Sequence, residues 1–285
     1  MRNPPSYKSP VSLIPQGCPQ YLDFDIETPA FSRLRRYFRE EQRPDGEYAG
    51  RQKNLLCCLM EEDGMFLDMV TRQPKDFDYE IDGRKALEPW LGQWLPAPFL
   101  RKRDQQWPGG EERFECGPGN WARFRFDRSP DDPALLYVTL VFDMTVEPPP
   151  AEGEQYHALS PNDVSSHGAF KLAHHVRDNA WFLNSGWVDE WLFSTWSAWL
   201  AKGSKRRQES DYVLEYLASY LTVLDVLRLA TGDITVQVIN PESEIPVDVD
   251  LILDIGNSRT TGILIETLPQ KITNLNDSYL LQLRD

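Results

Sequence analysis

The sequence predicts an α+β protein, and three observations predict it. Short runs rich in β-branched and aromatic residues, bounded by Gly and Pro, dominate residues 1–147. Two apolar stripes at helical spacing follow within 148–232. From 233 onward the pattern returns to strands. These three stretches are the expected domain organisation: a β-rich N-terminal domain, a two-helix segment, and the start of a further domain over 233–285.

The first runs, 11–14 and 21–24, are separated by Pro15, Gly17 and Pro19 and predict two strands around a turn. Residues 40–50 are polar with Pro44 and Gly46 and predict a surface loop. The apolar run 55–60 is too short for periodicity to assign. Between 96 and 119 many Pro and Gly residues predict long irregular connections. Residues 121–126 alternate aromatic and basic types and 135–146 are β-branched and aromatic, a strand pair with a turn at Asp131, Asp132 and Pro133. Pro148, Pro149 and Pro150, leading to Gly153, mark the first domain boundary.

The first helix is expected over 188–202, with Val188, Trp191, Leu192, Thr195 and Trp199 on the core face, Ser185 as cap and Gly203 as stop. Trp196 lies off that stripe and is expected to be exposed. The second helix is expected over 211–230, carrying Val213, Leu217, Tyr220, Leu221, Leu224 and Leu227, with Ser210 as cap and Gly232 past its end. Strands are then expected at 234–239, 247–255 and 261–268.

Composition excludes some classes of function. With 41% hydrophobic residues, 9 Trp, 11 Tyr and 13 Phe, the chain has the apolar surface to fold rather than stay disordered. Against 44 acidic residues stand 30 basic ones, and the formal charge of -14 opposes non-specific binding to nucleic acid or an anionic membrane. No stretch approaches the roughly 18 to 20 apolar residues of a membrane helix, and residues 1–10 lack the apolar core of a signal peptide. Cytoplasmic is the expected location, a specialised secretion route being the alternative. Cys18, Cys57, Cys58 and Cys116 have neither zinc nor disulfide-framework spacing and are expected to be free thiols.

Chemistry is concentrated at 247–266. An apolar strand with Leu251, Ile252 and Leu253 reads as a central strand covered on both faces, and it then presents Asp254. A magnesium ion, which prefers oxygen ligands and keeps its waters, is the natural partner of that carboxylate, bound through water. Gly256 lets phosphate approach the backbone, and Asn257, Ser258, Arg259 and Thr260 bring N–H and hydroxyl donors. A plain Asp-Gly hairpin is the bland alternative.

The run Asp254-Ile-Gly-Asn-Ser-Arg-Thr-Thr-Gly resembles the first phosphate motif of the actin, sugar-kinase and chaperone ATPase superfamily. The resemblance implies the opening β-hairpin of an actin-like (ribonuclease H-like) fold. It also implies ATP and Mg2+ as cofactors, Asp254 acting through magnesium-bound water, and phosphate contacts from Gly256, Asn257, Ser258 and Thr260. Arg259 departs from many members, and either touches phosphate or points to solvent. Tyr7-Lys-Ser-Pro-Val-Ser-Leu-Ile14, Gln20-Tyr-Leu-Asp-Phe24 and residues 249–266 together are similar to the bacterial virulence factor SrfB family over the whole chain. That resemblance implies the N-terminal part of a longer, virulence-associated protein in which nucleotide is coupled to a protein partner. Its alternative is an interaction module that keeps the fold without turnover. The second phosphate loop and adenosine motif of the superfamily do not occur before Asp285, so the actin-like domain is expected to be incomplete and this fragment alone to lack ATPase activity.

Other candidates have bland readings beside the sharp ones. His157, His167, His174 and His175 match no metal-ligand spacing and are expected at the surface. Lys202, Lys205, Arg206 and Arg207 read as a solvated turn, with an acidic partner as the alternative. Trp181, Trp187, Trp191, Trp196 and Trp199 read mainly as packing, with a partner or carbohydrate platform as the alternative. The glycines of 107–120 are not followed by Lys-Ser/Thr and exclude a P-loop.

Overall fold

The strand β2 (Gln20–Glu27) alternates inward Phe24 and Ile26 with outward Asp23 and Asp25, as a half-buried strand must. A computed structural model gives the architecture, and it describes residues 11–13, 19–43, 48–102, 114–116, 122–142, 169–174, 182–202, 212–239, 248–255, 260–267 and 278–282. The architecture is mixed α+β with mostly strands, as expected. It divides into two compact units, Met1–Ile239 and Asn240–Asp285.

In the larger unit, β2 belongs to a sheet with β7 (Leu95–Pro96), β10 (Ala122–Arg128) and β11 (Leu135–Phe142), in the order β2-β11-β10-β7. The expected hairpin at 131–133 forms: β10 and β11 pair antiparallel, with Phe126 opposite Val138 and Val138 opposite Phe24. That cross-strand row is buried and forms one face of the core.

A second sheet, β5-β4-β3-β6, is built from β3 (Arg35–Gln42), β4 (Asn54–Glu62), β5 (Met65–Asp68) and β6 (Tyr79–Asp82), all antiparallel. The ambiguous run 55–60 is therefore strand. Residues 40–42, expected in a loop, are also strand, because they pair with β4, Glu40 opposite Leu56 and Gln42 opposite Asn54.

The third sheet joins distant segments. Its members are β1 (Val11–Leu13), β8 (Phe99–Lys102), β9 (Phe114–Cys116), β12 (Phe170–Leu172) and β13 (Thr235–Val238), in the order β1-β13-β12-β8-β9. Both expected strands form, but β1 pairs in parallel with β13, so it and β2 lie in different sheets; the turn expected between them falls outside the described residues. Short strands also occupy part of the Pro- and Gly-rich stretch expected to be irregular.

Two short helices, α1 (Thr28–Phe31) and α2 (Gly83–Leu87), flank the sheets. Asp82 caps α2 by accepting from Arg84 N (3.0 Å) and Lys85 N (2.9 Å). Gly83 is required there, since a Cβ would stand 2.7 Å from the Phe31 carbonyl oxygen.

The long helices are α3 (Gly186–Lys202) and α4 (Glu215–Thr231). α4 begins four residues later than expected, and Val213 lies before it, 43% exposed. It is buried nearly all round, between α2 and the strands β2, β3, β4 and β6. Its polar groups are matched: Trp90 Nε1 donates to Ser219 Oγ (2.9 Å), Ser219 Oγ to the Ala86 carbonyl (2.9 Å), and Tyr220 OH to the Pro96 carbonyl (2.6 Å). Gly232 ends the helix at φ 67 and ψ -156, a backbone conformation that is essentially glycine's alone.

The core face of α3 differs from expectation. Val188, Leu192 and Trp196 are its buried residues, while Trp191 and Trp199 are half-buried. Trp196 is thus not exposed; it packs on Trp90 (ring centroids 5.8 Å) and Trp199 (5.2 Å). Residues 143–168, which hold the expected boundary at Pro148, Pro149, Pro150 and Gly153, and 203–211, with Gly203 and Ser210, lie outside the described residues.

Candidate functional site

The smaller unit contains a sheet in the order β14-β15-β16, from β14 (Asp248–Ile255), β15 (Thr260–Thr267) and β16 (Ser278–Gln282). β14 and β15 pair antiparallel over their whole length, with Asp254 opposite Thr261 and Ile255 opposite Thr260. The ladder therefore closes on four residues, 256–259, and puts Asp254 and Thr260 at the same end of the sheet. Gly256, Asn257, Ser258 and Arg259 lie outside the described residues.

One expectation about this strand changes. β14 is expected to be a central strand covered on both faces; among the described residues it is the outer strand of its sheet and Ile252 is 54% exposed. The described residues of this unit supply three strands and no helix to lay over that face.

A carboxylate position one residue before the last ladder rung, and a threonine position on that rung, bracket a segment rich in N–H and hydroxyl donors. Among the described residues no group of three His, Cys, Asp or Glu side chains gathers as a separate metal site.

The description "Virulence factor SrfB" matches residues 2–285, nearly the full chain. The chain belongs to the virulence factor SrfB family. No curated protein and no solved structure matched this SrfB-family chain. No helix among its described residues is long and apolar enough to cross a membrane.

The remaining candidates of this SrfB-family member resolve into structural contacts where they are described. His174 Nδ1 lies 3.2 Å from Asp225 Oδ1, and Asp225 Oδ2 is 2.9 Å from Arg36 Nη1, so this histidine sits beside the Arg36–Asp225 ion pair. His157, His167 and His175 lie outside the described residues, as do Trp181, Lys205, Arg206, Arg207 and Cys18. Cys57 and Cys58 are free and buried, and burial pushes their thiols up to about 11 and about 12, so both stay protonated and unreactive at neutral pH.

One polar cluster in the larger unit had no local signature. Arg51 Nη2 reaches Asp189 Oδ2 (2.9 Å) and Glu190 Oε2 (3.3 Å), and its guanidinium lies 3.7 Å from the centroid of the Phe193 ring. Tyr216 OH also donates to Asp189. Burial opposes the charge on Arg51, but its hydrogen bond and charge pairing with Asp189, together with Tyr216 and Glu190, outweigh that and raise its pKa. These residues come from three separate elements, and only the tertiary structure brings them together.

Proposed function

We propose that this SrfB-family protein binds ATP and Mg2+ at Asp254, Gly256, Asn257, Ser258, Arg259 and Thr260, and that occupancy is coupled to a protein partner. The observation that supports this most is the β14–β15 register, which ends the ladder where the phosphate-motif resemblance needs a turn. In this reading Asp254 orients magnesium-bound water, and Gly256 leaves room for phosphate against the backbone. Asn257, Ser258 and Thr260 donate hydrogen bonds to phosphate oxygens, and Arg259 adds a cation at the loop. The ion supplies charge neutralisation of the phosphates. Turnover in this reading needs a second phosphate loop and an adenosine-binding motif beside this one.

A second reading, an interaction module without turnover, has its own support. Tyr37, Phe66 and Phe77 form a three-ring cluster on the β5-β4-β3-β6 sheet, with centroids 4.6 to 5.1 Å apart. Phe77 is 39% exposed and neighbouring Met65 54% exposed, an apolar surface of the kind that partners cover.

Calorimetric titration of ATP, with and without Mg2+, separates the readings when run on the protein and on its Asp254→Ala variant. Magnesium-dependent binding that Asp254→Ala weakens at least tenfold is expected. Absence of binding by the folded protein would overturn the nucleotide reading in favour of the interaction module.

A further inference from the structure

A cavity of about 340 Å³ opens in the larger unit, between Arg43, Tyr48 and residues 51–56 on one side and Leu183 with the first turns of α3 and α4 on the other. Its volume falls within the range of small-molecule sites, and like them it is lined mainly by apolar surface with a few polar groups. Leu55, Leu56, Leu183 and Leu217 supply apolar wall, while Arg43 and Tyr48 face it from the connection.

The charges around the cavity are not equivalent. Arg51 is committed to Asp189 and Glu190, as described above. The two N–H groups just before α4 are committed as well, Leu214 N to Glu40 Oε1 (2.7 Å) and Val213 N to Glu40 Oε2 (3.1 Å). Arg43 differs: its guanidinium stacks over Tyr48, 4.7 Å from the ring centroid, and its buried Nε has no hydrogen-bond acceptor. Among the described residues it forms no ion pair. A guanidinium with an unsatisfied Nε, on the wall of a cavity that also presents apolar side chains, is the arrangement that a bound anion completes.

We propose that this cavity binds a small organic carboxylate, with an apolar body against the leucines and the carboxylate on the Arg43 guanidinium. A single negative charge fits better than the double charge of phosphate, because Asp189 and Glu190 stand nearby and only Arg43 is uncommitted. The guanidinium fork matches a carboxylate with two parallel hydrogen bonds, and stacking on Tyr48 holds it in place beforehand. This site is independent of the hairpin at Asp254.

Calorimetry with 2-naphthoate, its neutral isostere 2-naphthamide and inorganic phosphate tests the site on the intact chain and on Arg43→Gln. Saturable one-to-one binding of 2-naphthoate, at least tenfold tighter than 2-naphthamide, is expected, with that preference lost in Arg43→Gln at an unchanged far-UV circular dichroism melt. The comparison between the two naphthyl probes on the unaltered chain decides the matter even if the variant folds poorly. No saturable binding at millimolar 2-naphthoate, equal binding of acid and amide, or tighter binding of phosphate would each overturn the proposal.

Discussion

Asp68 shows how one side chain couples fold to pH. It is 4% exposed, accepts from Val70 N and Thr71 N (both 2.8 Å), and pairs with Lys75 Nζ at 3.1 Å, which in turn reaches Glu41 Oε2 at 2.9 Å. Burial alone would raise its pKa, but the backbone N–H groups of Thr71 and Val70 and the Lys75 ammonium outweigh it, and the carboxyl titrates below its ordinary 3.8. The Lys75 hydrogen bond lowers Glu41 in the same way, against the opposing effect of burial. A depressed folded-state pKa means that the unfolded chain takes up the proton first. The contribution is therefore complete above the unfolded value and is lost as pH falls through the folded one. Asp68→Asn is expected to destabilise by about 1–3 kcal/mol at pH 7, the cost of disrupting a buried charged hydrogen-bond set. Urea unfolding from pH 7 to pH 3 checks this: the gap between the two proteins narrows below 3.8, and a constant gap would contradict the assignment.

At the scale of elements, α4 shows which boundaries local sequence can set. Its end is local: Gly232 adopts φ 67, and its N–H bonds the Arg228 carbonyl at 2.8 Å. Its start is not local, because the approach to the helix is held by Glu40 of β3, which also accepts from Asn54 Nδ2 at 2.8 Å. A carboxylate at this end also complements the helix dipole. Glu40→Ala leaves the Val213 and Leu214 N–H groups without their acceptor and is expected to cost about 2 kcal/mol, since hydrogen bonds to charged groups each contribute about 1.5–3 kcal/mol. The midpoint of urea denaturation measures it, and a variant within about 0.5 kcal/mol of the parent, the usual spread of surface substitutions, would show that α4 is positioned by its apolar faces alone.

For the whole molecule, the larger unit gathers its core from segments far apart in the chain. Phe24, Phe38, Trp90, Phe124, Val138, Leu192, Tyr220 and Val236 all belong to one buried cluster. β1 closes on β13, with Val11 opposite Val236, so the third sheet forms only when both ends of the unit are present. All of this lies before residue 240. A chain ending at Ile239 is accordingly expected to unfold in one cooperative transition and to keep the near-ultraviolet circular dichroism of its packed tryptophans. A gradual melt without a near-ultraviolet signal would show that residues 240–285 are needed for the core to set.

The strands of the β10–β11 hairpin, the Gly232 stop and the strand–turn–strand around Asp254 were legible because each rests on a local rule: alternation, a left-handed glycine, or a polar turn between apolar runs. Strand β3 escaped because its sequence, Arg35 to Gln42, is nearly all polar and becomes a strand through pairing with β4 on one side and β6 on the other. Trp196 was misplaced because helical periodicity shows that an apolar stripe exists, but neighbouring positions compete for its centre. The choice of Val188, Leu192 and Trp196 was made by where Trp90 stands. By itself the sequence determined the α+β class, the family resemblance and the strand pair on either side of residues 256–259. Only the tertiary structure decided which strands share a sheet, what holds the start of α4, and that Arg43 stands uncommitted beside a cavity, since each depends on residues that meet across long stretches of chain.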